Sequence, residues 1–174
     1  MSTVLERTPQ TPPGRGDADG SAATRRVQAR AAAWLAQHSI TLLRISLGVV
    51  FLLFGALKLF PGVSPAEDIA VRTVEALTFG IVSGQAALLL TAVVEVAVGL
   101  SLTTGRFLRA GLVLLGVSLV GIMSPLVLFF ADLFPGAPTL TAQYVMKDVI
   151  LAAAGLVVAA RALGARFVAE DASA

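Results

Sequence analysis

The 174-residue chain has no cysteine, one histidine, one tryptophan and one tyrosine, and only 14% of its residues are charged. Without cysteine there is no disulfide framework, no thiol redox pair and no iron–sulfur ligation. The single histidine, His38, excludes a bis-histidine haem and a zinc site built from His and Cys within the chain. Charge is scarce because apolar residues fill 56% of the sequence. Soluble domains carry about a quarter charged residues, and no soluble domain of this length could hide so much apolar surface. A bilayer must therefore be part of the solvent. The net charge of +2 is small, and arginines gathered at one side of a membrane account for the basic pI of 9.7, so nucleic acid is not an implied partner.

Residues 1–24 read as a disordered cytoplasmic tail, with prolines, glycines and polar groups around Thr8–Asp17 and nothing to bury. No short apolar core with a cleavage pattern marks a secretory signal. Residues 25–39 read either as an interfacial helix, Arg25, Arg26 and Arg30 among headgroups and Trp34 and Leu35 among acyl chains, or as an inward extension of the first span. A four-helix transmembrane domain follows over 40–164, with spans at about 40–60, 85–103, 107–130 and 143–163. Spans of about 20 residues at 1.5 Å rise match a hydrocarbon core of about 30 Å. Between the first two, Ser64-Pro65-Ala66-Glu67 predicts the start of a short amphipathic helix reaching about Phe79, with Ser64 as cap and Glu67 reaching back. Pro125 predicts a bend in the third span, and residues 165–174 form a cytoplasmic tail.

Orientation follows from arginine. Arg7, Arg15, Arg25, Arg26, Arg30, Arg106, Arg109, Arg161 and Arg166 all fall on one side, and the opposite loops hold Arg72 alone. The positive-inside rule places both termini in the cytoplasm of a bacterial inner membrane.

Five ionisable residues lie inside the spans: Arg44, Lys58, Glu95, Lys147 and Asp148. Each costs at least about 2.5 kcal/mol on insertion scales and needs a reason. Arg44, Gly48, Phe51, Gly55 and Lys58 are spaced 4, 3, 4 and 3, one stripe suited to close helix contact. Arg44 and Lys58 could also snorkel to water. Glu95 shares a stripe with Gly99 and is too short to snorkel. Counted from the cytoplasmic ends, Glu95 lies about 12 Å deep and Arg44 about 6 Å, so either the two pair or Glu95 stays protonated. On the fourth span, Tyr144, Asp148, Ala152, Gly155, Ala159 and Ala162 form a packing stripe, with Lys147 about 100° away. Lys58 and Asp148 both lie near the outer surface and could pair.

Leu43-Arg44-Ile45-Ser46-Leu47-Gly48 followed by Phe54-Gly55-Ala56-Leu57-Lys58-Leu59-Phe60-Pro61-Gly62 resembles the opening of DoxX-like membrane proteins. So do Glu95 in the second span and the aromatic-x-x-Lys run Tyr144–Lys147, and the likeness extends over about 41–163. The resemblance implies an all-α integral membrane four-helix bundle, with Arg44, Lys58, Glu95 and Lys147 as positions of interest. It also implies an accessory or quinone-linked subunit of a membrane redox system, with a bound quinone as cofactor and an oxidoreductase as partner. Two other functions stay open: a small-solute or proton-coupled transporter using Glu95, and a structural or assembly protein without ligand. An oligomer is compatible with each.

Overall fold

The computed structural model describes residues 15–60 and 62–166, and they are overwhelmingly helical. Seven helices follow in order: α1 (Arg15–Leu57), α2 (Glu67–Leu77), α3 (Gly84–Thr104), α4 (Leu108–Met123), α5 (Pro125–Leu128), α6 (Phe130–Leu133) and α7 (Leu140–Ala162). Among the described residues three stretches are long and apolar enough to cross a membrane, Ala22–Leu57, Gly84–Thr104 and Leu108–Leu128. The fourth expected span, α7, has 23 residues but carries Lys147, Asp148 and Arg161.

The chain divides into two units, residues 1–39 and 40–174. In the first, 15–39 is helix, and 15–24 is helical where disorder was expected. Adding alanine-rich turns to an existing helix needs no new nucleus, which composition alone does not reveal. Trp34 stacks on His38 with ring centroids 4.8 Å apart, and His38 Nδ1 donates to the Trp34 carbonyl at 2.9 Å. The tail expected over 1–14 and most of the C-terminal tail, 167–174, lie outside the described residues.

In the second unit, residues 40–57 of α1 run antiparallel to α3 with backbones in near contact. A β-carbon added at Gly48 would meet Thr103 N at 2.8 Å, and one at Gly55 would meet Val96 N at 2.9 Å. From the other side, one at Gly99 would meet Leu52 N at 2.7 Å and Gly48 O at 2.8 Å. Backbone atoms cannot step aside, so these three glycines set both the spacing and the register of the pair. In lipid such contact replaces the hydrophobic drive between helices. Leu47 and Phe51 then pack with Val98, Leu102, Leu115 and Leu119 in a core shared by α1, α3 and α4. Helix α4 packs on both α3 and α7, and α2 rests mainly on α3. Val113, Val117 and Ile150 point outward, as lipid-facing residues do.

The turns follow local chemistry. Gly105 caps α3 at φ 73°, a left-handed conformation that glycine adopts without strain, and its N–H donates to Ser101 O at 2.9 Å. Thr139 caps α7 by accepting from Ala142 N. The expected Ser64 cap does not form. Helix α2 starts at Glu67 with Ala66 at the cap, Glu67 accepts from Gly62 N at 2.7 Å instead, and the Ser64 hydroxyl is buried without a partner among the described residues. Pro125 supplies no N–H and interrupts the helix between α4 and α5, and the chain breaks again at Phe129, φ −125°.

Candidate functional site

Glu95 lies on the α3 stripe that faces α1 and is 6% exposed. Its partner is Lys58, not Arg44. Lys58 Nζ donates to both carboxylate oxygens, at 2.9 Å to Oε1 and 2.7 Å to Oε2, and Lys58 is itself 5% exposed. The register explains the choice. Gly55 sits against Glu95, so Lys58 follows less than one turn later, within reach of a four-carbon side chain. Arg44 lies eleven residues before Gly55, about 16 Å along the helix, beyond any side chain. Its guanidinium lies against Gly105 in the α3–α4 turn instead. Counting depth from assumed span ends could not find this, because only the glycine contacts set how α1 slides against α3.

The same ion pair removes the other suggested partnership, between Lys58 and Asp148. Asp148 is half-buried and interacts electrostatically with Lys147, Lys58 and Glu95. Among the described residues it makes no hydrogen bond and no ion pair within 4.0 Å. Lys147 is exposed, with its ammonium 3.6 Å from the Tyr144 ring centroid and 6.0 Å from that of Phe54 on α1. A cation over an aromatic face is worth more where water is scarce. Lys58, Glu95, Lys147 and Asp148 thus form one neutral group of four charges where α1, α3 and α7 meet, edged by Tyr144 and Phe54. Phe54 gave no sign of this in the sequence, since its contact depends on how α7 docks.

An apolar groove of about 660 Å³ runs between α4–α5 and α7, lined among others by Leu77, Leu119, Leu128, Ala152, Gly155 and Ala159. Small residues on α7 create it. Gly155 lets Leu115 approach, with a β-carbon there meeting Leu115 Cδ2 at 3.0 Å. Asp148 and Tyr144 continue the stripe of Ala152, Gly155 and Ala159, and Asp148 stands about 6 Å beyond Ala152 along the helix. The backbone N–H of Thr139, just before α7, donates to Leu133 O, so α7 returns antiparallel to α4. That register sets Asp148 level with Ser124, which also lines the groove. Asp148 and Tyr144 therefore continue the stripe beyond the groove's lining residues, with Lys147 about 100° around the helix.

A separate clamp joins α2 to the loop before α7. Arg72 donates to Asp132 Oδ2 at 2.6 Å and lies 4.5 Å over the Phe129 ring. The hydrogen bond to Asp132 pushes the already high guanidinium pKa upward, so Arg72 stays charged. Among the described residues no three His, Cys, Asp or Glu side chains gather as a metal site.

No curated protein and no solved structure matches the chain. The DoxX family does, over residues 39–131. The match ends before α7, short of the 41–163 expected from motifs, so it contains Lys58 and Glu95 but not Tyr144, Lys147 or Asp148. It spans more than half of a chain whose apolar helices are built to cross a bilayer, and the protein is a multi-pass membrane protein that belongs to the DoxX family.

Proposed function

We propose that this protein is a quinone-linked accessory subunit of a bacterial inner-membrane redox system, spanning the membrane four times with both termini in the cytoplasm. One observation carries the proposal: Tyr144 and Asp148, with Lys147 beside them, lie one to two turns along α7 from Ala152, Gly155 and Ala159, which line an apolar groove. Ligand sites of this kind are mainly apolar, with a few placed polar groups. The donor set fits a quinone ring. Lys147 and Tyr144 can donate to its carbonyls, Phe54 offers a face for stacking, and the groove suits an isoprenoid tail. A bound quinone would supply two-electron redox chemistry that the chain's own side chains do not. The chain's own residues bind and orient it, and the Lys58–Glu95 pair holds α1 against α3 behind them. Electrons then come from an oxidoreductase partner.

The transporter alternative needs Glu95 free to exchange a proton or solute, and both its oxygens are engaged by Lys58. An assembly protein needs no apolar groove of this size. The test is thermal melting of the purified chain in mild detergent with and without decylubiquinone. Quinone should raise the melting temperature, and Tyr144→Phe combined with Lys147→Met should remove most of that rise while leaving the unliganded melting temperature nearly unchanged. No rise with the parent protein would refute the quinone assignment.

A further inference from the structure

Arg109 stands where the apolar groove approaches the arginine-bearing end of the protein. A second recess there, of about 500 Å³, is lined by Phe107, Leu108, Arg109, Ala110 and Ala162. It lies one turn from the groove on both walls. Leu112 on α4 and Ala159 on α7 line the groove, three residues from Arg109 and Ala162 respectively, and residues three apart are neighbours on a helix surface. On α4 a single stripe, Arg109, Leu112, Gly116, Val120 and Met123, leads from the recess along the groove at spacings of 3, 4, 4 and 3. The groove opens sideways: its lining residues Val120, Val127 and Leu156 are 73%, 83% and 72% exposed. Gly116 leaves room in its wall, since a β-carbon there meets nothing within 4 Å.

The charge at this end is unanswered. Arg109 is exposed and makes no hydrogen bond and no ion pair among the described residues. No Asp or Glu occurs in 96–131 or 149–166, and Glu170 and Asp171 fall outside the described residues. Helix α4 begins in the same recess without a side-chain cap, which adds to its preference for an anion. An unpaired arginine at the membrane surface, beside an apolar slot open to lipid, matches a molecule with a phosphate at one end and a hydrocarbon chain at the other.

We propose that this protein binds an anionic phospholipid from the leaflet on its arginine-bearing side, with the phosphate against Arg109 and one acyl chain along the groove between α4 and α7. One leaflet is half of the hydrocarbon core, about 15 Å or about ten helical residues. Counted from Leu112 that reaches about Ile122 and leaves the Ser124–Leu128 end of the groove free. The proposal therefore does not rest on the quinone reading, which draws on Tyr144 and Lys147 beyond that other end. A zwitterionic lipid carries the same phosphate with its charge already balanced, so Arg109 selects by net charge while the groove holds either kind of chain. One arginine near an anionic headgroup carries about fivefold in affinity.

The experiment strips the full chain of lipid in mild detergent, titrates it with phosphatidylglycerol or phosphatidylcholine of the same acyl chains, and counts bound lipid by native mass spectrometry. The parent should bind phosphatidylglycerol about fivefold or more tighter than phosphatidylcholine. Arg109→Gln should cut that preference below about twofold and Arg109→Lys should keep most of it, whereas Arg30→Gln, which removes the same charge outside the recess lining, should leave it intact. Gly116→Leu should weaken both lipids by about threefold or more, because the added side chain takes the space of the acyl chain. Gly121→Leu, equally unobstructed but outside the lining, should weaken neither. Excess glycerol phosphate, a headgroup without chains, should not displace phosphatidylglycerol. Equal binding of the two lipids by the parent, or an equal loss of preference in Arg109→Gln and Arg30→Gln, would show only diffuse surface charge and overturn the inference. Parent-like binding by Gly116→Leu would show that no chain lies in the groove, and displacement by glycerol phosphate would make the recess a site for free anions; either result also overturns it.

Discussion

Removing one member of the Lys58–Glu95 pair should cost far more than removing both. The ions meet at 2.7 and 2.9 Å, with side chains 5% and 8% exposed. At an effective dielectric of 20, unit charges about 4 Å apart attract by about 4 kcal/mol, and burial charges several kcal/mol per ion against that. The intact pair therefore comes near to balance, whereas an orphaned charge keeps the penalty alone. In Lys58→Met the escape is to protonate the carboxylate. From a reference carboxyl pKa of about 4.3, that costs about 3.7 kcal/mol at pH 7, which caps the loss. In Glu95→Gln the escape is shorter, because Lys58 lies just past the end of α1 and has a long stem. A loss of about 2–3 kcal/mol is expected there. The double variant Lys58→Met/Glu95→Leu strands nothing and should lose under about 2 kcal/mol, a coupling of about 4 kcal/mol. Unfolding by SDS titration from mild detergent measures all four proteins. If the double variant loses the sum of the singles within about 0.5 kcal/mol, the pair is not coupled and the reasoning fails.

Gly55→Leu and Gly99→Leu should each force α1 from α3 and lower the melting temperature sharply, because the obstructing atoms are backbone, while Gly116→Leu, with nothing within 4 Å, should melt like the parent. Equal melting of all three would place the α1–α3 contact elsewhere. With both termini cytoplasmic, a cysteine at Ala137 should react with an impermeant maleimide in intact cells and one at Ala165 only after lysis; the opposite pattern would invert the topology. Arg72→Ala should speed hydrogen exchange in α2 and around Phe129–Leu133 with little change in overall melting, since the clamp is exposed. Unchanged exchange would show that other contacts hold α2.

Composition made the membrane class legible, and period made the helices legible, because a bilayer admits few solutions for an apolar chain. The Gly48–Gly55 stripe was readable because small residues at helical spacing have one principal use in lipid. The partner of Glu95 was not. It depends on a helix register fixed by backbone contacts 41 to 55 residues apart, and depth counting with uncertain ends errs by more than a side chain's length. The Tyr144–Asp148–Ala152–Gly155 stripe was visible, but its small residues read as packing, whereas in three dimensions part of their space stays open as a groove. Ser64 shows a local rule losing to its surroundings: Glu67 found the Gly62 N–H closer to hand.

The most direct test of a quinone held along α7 is photo-crosslinking with an azido-quinone that carries an isoprenoid tail, followed by mass spectrometry of the digested chain. Adducts are expected within Gln143–Ala159 and Leu112–Leu128, and excess unlabelled decylubiquinol should compete them away. Labelling confined to the outward-facing residues Val113, Val117 and Ile150, or spread over all helices and insensitive to competitor, would contradict it.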